Sequence, residues 1–577
     1  MKKIAAFIAM MLFTAISYSR EIPLDKAYEL AETFFGINAE TKDGGYYLKL
    51  LWDGKGLSTK TNVENPAFYV FGKTSGKGFV IISGDDALRP VLAWSDDTEF
   101  RVDDIPENSL WWYESVSAQV AQLRKSSAAP YVCKSLEDNT EFLIPTAAWD
   151  QKQPYNDECP LSNTGVRTVT GCVATAMAIV MHQRQWPDAG VGTVPEYETS
   201  GGIKVSERVL GKYDWANLPF TDAKSSRWTT TQESDIARIM ADCGAAVKAN
   251  YRYPETSANE ARAVNVFIDH MKYDKSVHMD WRGYYSDKEW SDLLKSELHS
   301  NGSIFYTANN DKGGHAFVID GYSTAGLFHV NWGWGGSYNA YYSLDNMNSD
   351  MSSPYNYSHD MIAGMKPDEG GKFTEKILLY TTSIMQGLTV ISRNPENDIP
   401  INISVGGFWN KGQESYTGKF RVGVFDREMN LIKELWITEI ENLSPSAYIH
   451  YDDIQIDVDD VDFGYRLAAQ FYNNNTGEWE KVRASYEYNG ISDILLADEY
   501  SIEDSTIFAY NEADDMIIIS TKEGVTVSCN FSGKDIPLKN ISPTEYHIDA
   551  SSLKDGVHVL HLEKDKEMVE VEFVTGG

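Results

Sequence analysis

The hydrophobic periodicity of this chain changes character once, near Pro367, and that change excludes a single repeated architecture. Upstream, helical and strand-like spacings are interleaved. Downstream, apolar residues recur at every second position, as in 419–425 and 465–471, with Asn, Gly, Asp and Pro turns between the runs. At 577 residues the chain is also too long for one hydrophobic core, and length alone suggests roughly three to five units. The expected fold class is α+β, followed by all-β. A small α+β unit spans 20–130, a larger one 131–367, and two sandwich-like β modules span 373–489 and 490–577.

Within the first unit, Leu24, Ala27, Leu30, Ala31 and Phe34 fall on one helical face of 24–35. Strand-like runs follow at 46–51, 67–71 and 78–83, then a helical stretch at 109–124. The connector Ser126-Ser127-Ala128-Ala129-Pro130, preceded by the basic pair Arg124-Lys125, is a natural site for proteolytic nicking. The second unit is expected to hold helices at 172–184, 233–247, 258–271 and 287–298, then strands at 303–307, 315–322 and 327–332.

Residues 1–19 read as an export signal: Lys2 and Lys3, an apolar run over 4–16 interrupted by Thr14, then Ser17 and Ser19 near a cleavage point. The run is shorter than the roughly 20 residues of a spanning helix, so no transmembrane anchor is expected after its removal. No cysteine stands there to carry a lipid. The expected location is outside the cytoplasm: extracellular, periplasmic or on the cell surface. A net charge of −33 repels phosphate backbones and argues against a nucleic-acid partner. The acidic runs at 452–453 and 457–462 read as solvated loops rather than a calcium loop. No metal cluster and no cofactor is expected, since His182 and His278 lack partners at ligand spacing.

Five cysteines, Cys133, Cys159, Cys172, Cys243 and Cys529, are too few for a disulfide framework in so long a chain. Their odd number leaves an exported chain with at least one thiol unpaired or paired to another molecule. Cys243 reads as a small core residue. Cys172 differs. Gly171 permits a tight turn before it, and Val173, Ala176, Met177 and Val180 form the apolar face of a helix that it opens. Unpaired N–H groups and the dipole at a helix start favour a thiolate, so the thiol pKa is expected to fall. About 140 residues further on, within the interval of papain-type enzymes, Gly313-Gly314-His315 opens a strand-like run. An imidazole paired with a thiol needs an orienting acceptor and shelter from water, and Asn331 and Trp332 supply both types of group. Acyl transfer also needs an oxyanion donor. Gln151 and Gln153 are chemically equal candidates, acting with the N–H of Cys172.

Gln151-x-x-Pro154-Tyr155-Asn156, the block 170–176, the run 313–321 and the run 329–336 together resemble the streptopain family of papain-like bacterial cysteine peptidases. Met240-Ala241-Asp242 and Ser276-Val277-His278 extend the likeness. The resemblance implies that 131–367 is a papain-like peptidase domain, with Cys172 as nucleophile and His315 as general base. It selects Gln151 for the oxyanion hole, sets Asn331 and Trp332 beside the histidine, and implies Ser257 and Gly314 as substrate-cleft residues. Asn309 departs from the apolar residue that the family tends to carry near the pocket for the substrate's second residue. Residues 68–71 and 78–86 resemble the family's inhibitory pro-segment. The implied partners are protein or peptide substrates and the chain's own pro-domain. The β modules are similar to accessory domains of larger members, with a candidate surface ligand, and Gly556-Val557-His558-Val559 loosely resembles a sorting module. Two other classes remain open at this level: a cysteine amidase or transglutaminase-like enzyme, which needs the same pair, and a surface adhesin with a vestigial peptidase unit.

Overall fold

The computed structural model describes residues 21–575 except 38–47, 56, 58–65, 106, 126–129, 132–134, 225–226, 311–312, 345–357, 383–384, 396–398, 459–463, 486–489, 497–506, 512–515, 522–524, 532–533, 543, 550–552, 554–555 and 565–566. The export segment, Cys133 and most of the connector after Lys125 therefore lie outside the described residues, as does the side chain of Asn309.

The first unit pairs a helix α1 (Leu24–Phe34) with a meander of β1 (Leu48–Trp52), β2 (Phe68–Lys73), β3 (Phe79–Ser83) and β4 (Val91–Ser95), then α2 (Glu107–Leu123). Ala27 and Ala31 lie fully buried against the sheet, as their helical spacing requires. Trp112, Tyr113, Val116 and Val120 of α2 pack on the opposite face. The second unit begins with β5 (Thr140–Leu143). It continues through α3 (Cys172–Arg184), α4 (Thr230–Ala246), α5 (Arg262–Asp269), β6 (His278–Trp281) and α6 (Asp287–Asn301). Strands β7 (Ile304–Asn310), β8 (Gly313–Ser323), β9 (Phe328–Asn331), β10 (Ala340–Tyr342) and β11 (Ser358–Ala363) complete it. Capping boxes at Thr229/Gln232 and Ser286/Glu289 satisfy the first free N–H groups of α4 and α6.

The two units share one antiparallel sheet, ordered β1-β2-β3-β4-β10-β9-β8-β7-β11-β6, with β5 added to β8. The seam is the pairing of β4 with β10, Trp94 opposite Tyr341 and Ala93 opposite Tyr342. The Trp94 and Tyr341 rings stack at 4.6 Å. Beneath the seam one core contains side chains of both units, including Trp52, Phe68, Trp112 and Tyr113 from the first and Phe317, Trp332 and Tyr342 from the second. Separating the units would expose aromatic surface on both.

Two five-stranded sheets, packed around Leu379, Ile403, Phe408, Phe420, Leu467 and Phe471, form the first β module. It runs past Gly490, where the sequence places a boundary. Leu388 N–H donates to Ile491 O at 2.9 Å, and the strand Asp493–Leu495 pairs with Arg466–Asn473. Two four-stranded sheets follow, with Ile519, Cys529, Ile548 and Leu560 inside. In the first acidic run Asp452 accepts from Ser404 Oγ at 2.7 Å and Asp453 is bonded to Asn402, so these carboxylates bind the neighbouring strand.

The first module is docked on the edge of the second unit's sheet. Lys376 bonds to Asp280 of β6 and donates to Tyr285 Oη at 2.9 Å. His278 Nε2 stands 3.2 Å from the other Asp280 oxygen. Lys411 sits over the rings of Trp281 (4.1 Å) and Trp409 (4.2 Å), and Arg483 pairs with Glu289 at 2.8 Å. Burial alone would raise the Asp280 pKa, but the Lys376 ammonium and His278 outweigh it and hold the carboxyl far below its usual range.

Candidate active site

Helix α3 is the centre of the second unit. Residues Val173 to His182 are all buried, so the helix is enclosed on every side rather than amphipathic. Its first residue is Cys172, reached through Gly171 at φ +86°. A Cβ at Gly171 would meet Thr256 O and Thr256 Cγ2 at 3.0 Å, so conformation and space both require glycine. The half-buried Cys172 thiol lies near the backbone N–H groups of Ala316 and Val173, which favour its ionised form. Ala316 follows His315, so β8 brings the histidine to the nucleophile turn.

Burial is the largest influence on the thiol and pushes its pKa up to about 11, reinforced by the Glu260 charge and opposed by these N–H groups. The helix start was expected to lower it. With the first unit in place, desolvation wins over the dipole. Burial likewise lowers His315 to about 4. Near neutrality the pair is therefore thiol and neutral imidazole.

Gln151 is 6% exposed and Gln153 lies in solvent. The Gln151 backbone is fixed by its N–H to Asp150 Oδ1 (2.6 Å) and by Thr170 N–H donating to its carbonyl (3.2 Å), two residues before the nucleophile. Among the described residues its side-chain amide has no hydrogen-bond partner.

Asn331 ends β9, where Val318 of β8 lies opposite. Its amide donates to Thr146 Oγ1 and Ala147 O, both at 2.9 Å, and its Oδ1 accepts from Gly333 N–H at 3.1 Å. The orienting bond to His315 expected from the sequence is not formed: among the described residues the His315 ring has no hydrogen bond. An amide 1% exposed must find partners where it lies, and the segment before Trp149 supplies them. Trp332 is equally buried, 4.9 Å from Phe317, with its indole N–H on Tyr338 O at 3.1 Å. Ser257 is exposed beside the nucleophile turn, its carbonyl accepting Asn250 N–H at 2.7 Å, and Gly314 is half-buried.

Two features escaped the sequence reading. Asp320 joins His329 Nδ1 at 2.5 Å and bonds to Thr146, the residue that also holds Asn331. A carboxylate directly after the apolar run Phe317-Val318-Ile319 was its visible signal. The second is Glu260, in a stretch read as helix. Helix α5 starts only at Arg262, because Ser257 is held in an extended bridge to Asn250.

A thiol at a helix start, beside a strand that carries histidine, in a unit whose sheet is continued by a second folded unit, fits a cysteine protease joined to its own inhibitor. The Peptidase C10 family model matches residues 149–342, and the Spi protease inhibitor model matches residues 19–120. Streptopain of Streptococcus pyogenes serotype M1 is 30% identical over 376 residues, which cover 59% of this chain and 91% of that protein. The thiol protease/hemagglutinin PrtT of Porphyromonas gingivalis is 26% identical over 327 residues, 53% of this chain, and the match spans only 37% of PrtT. Among solved structures, a prointerpain A fragment of Prevotella intermedia is 28% identical, covering 56% of this chain and all of that one, with a TM-score of 0.47. The chain belongs to the Peptidase C10 family of cysteine proteases.

Proposed function

We propose that this chain is the exported precursor of an endopeptidase that hydrolyses peptide bonds through Cys172 and His315. The nearness of the Ala316 N–H to the Cys172 thiol carries the reading, because it sets the strand of His315 beside the nucleophile. In the active form the thiol proton passes to His315 and the thiolate attacks the peptide carbonyl carbon. The oxyanion is held by the Gln151 amide and the Cys172 N–H. The C–N bond breaks as His315 protonates the leaving amine. Water then attacks the thioester, His315 takes its proton, and acid and thiol are released. In the processed enzyme Asn331 Oδ1, which keeps a second lone pair beside its bond from Gly333 N–H, accepts the imidazole N–H; Trp332 shelters that newly formed bond, and Ser257 and Gly314 line the cleft. Since β4 continues the sheet that carries His315, the first unit acts as an inhibitor built onto the catalytic scaffold. Among the described residues no helix is long and apolar enough to cross a membrane.

Two measurements test the reading. Incubated precursor should yield new N-termini between residues 124 and 145, and an epoxide that alkylates catalytic thiols should prevent them. Ammonia release or amide cross-linking without new termini would instead mark an amidase or transglutaminase. Gln151→Ala should lower kcat by about 10²–10³, some 2.7–4 kcal/mol of barrier, in a folded enzyme, whereas Gln153→Ala should act like wild type. The reverse pattern would move the oxyanion donor to Gln153.

A further inference from the structure

Glu260 has no part in the chemistry above, yet its segment runs alongside the nucleophile turn. Thr256 Oγ1 donates to Val169 O at 2.8 Å, and Thr256 is the residue against which Gly171 is packed. Ser257 stands exposed in its bridge to Asn250, and the chain then turns at 260–261, where Asn259 Oδ1 accepts Ala261 N–H at 3.0 Å. This turn carries the half-buried Glu260 just beyond Ser257, on the segment that flanks the nucleophile turn, and its charge opposes ionisation of the Cys172 thiol. Among the described residues no cation pairs with it. Burial, its dominant influence, raises its own pKa, and only its own N–H opposes that.

A carboxylate drawn partly out of water without a counter-charge is an incomplete ion pair. Here it borders the place where a peptide must lie to be cut. We infer that Glu260 determines specificity, its carboxylate receiving a lysine or arginine side chain of the substrate next to the scissile bond. This rests on Cys172 being the nucleophile. The bound cation also neutralises the charge that opposes thiolate formation, so a basic substrate helps to activate the thiol that cleaves it. The chain's net charge of −33 attracts such substrates over longer range. Lys125, exposed at the end of α2 just before the connector, offers such a side chain within the precursor itself.

The test uses processed enzyme and peptides identical except at one position flanking the scissile bond, which carries arginine, lysine, norleucine or glutamate. At one such position wild type should show kcat/KM about tenfold or more higher for arginine or lysine than for norleucine. Glu260→Gln should bring that ratio close to one, and Glu260→Lys should favour glutamate instead. A wild type without basic preference at any position, or a preference that survives in Glu260→Gln, overturns the inference. Wild type that cleaves none of the peptides overturns the peptidase reading and this inference with it.

Discussion

Replacing Cys172 with alanine should leave a precursor that keeps its full length and cleaves no peptide. Removing the nucleophile of a coupled catalytic set costs roughly 10⁶-fold in turnover, because the other members have nothing left to activate. Structural damage is expected to be small: the side chain is half-buried, and the helix behind it is held by Val173 to His182. The variant should therefore unfold at a denaturant concentration close to that of wild type. Added wild-type enzyme should cut it in the connector, which separates a dead catalyst from a misfolded substrate. A second measurement reads the thiol directly. With its pKa pushed up to about 11, Cys172 of the intact precursor is protonated at neutral pH. Its alkylation should be slow there and accelerate as the pH climbs toward 11. Once the inhibitor unit is gone and the imidazole can pair with the sulfur, fast alkylation should extend to neutral pH. A Cys172→Ala precursor that shortens itself as wild type does would remove the basis of the mechanism.

How much of this was legible in the sequence depends on how local each feature is. The nucleophile helix was readable to the residue, since a glycine turn followed by an unbroken run of helix formers decides 172–184 by itself. The strands on either side of His315 were likewise visible as apolar runs between glycines. The seam between the two units was not. Every residue of β4 is buried, so the strand shows no alternation, and β10 has only three residues. Their pairing is a long-range event that neither segment announces. The same distinction explains the site. Residue types and spacing nominated Cys172, His315 and Asn331 and left Gln151 level with Gln153 until the family resemblance chose between them, but the state of the thiol depends on burial by distant segments. The Asn331 amide was free on paper and is bonded to Thr146 and Ala147 in the fold. Gly490 looked like a boundary because the local turn signal is strong, yet the strand after it completes a sheet begun far upstream.

Breaking the Asp280–Lys376 pair should cost about 3–5 kcal/mol, more than most single substitutions in a fold of this kind. Asp280 is 4% exposed and Lys376 19%, so each is charged in a place that water hardly reaches. Lys376→Met removes the ammonium and leaves a buried carboxylate with His278 and the Tyr285 hydroxyl as its remaining partners. The sign with pH follows from the depressed pKa. The pair's contribution is fully present above the ordinary carboxylate value and is lost as the pH falls below it, while in Lys376→Met that acid-dependent loss should shrink. The double replacement Asp280→Leu with Lys376→Met should recover much of the stability, because it removes both desolvation costs together. Urea unfolding of wild type, Lys376→Met and the double variant at neutral and acidic pH measures all of this. The outcome matters for how the first β module is understood. If Lys376→Met unfolds the peptidase unit as well as the module, residues 376–495 are part of the catalytic body. A loss below about 1 kcal/mol, the worth of a surface pair, would mean that the module is only tethered there.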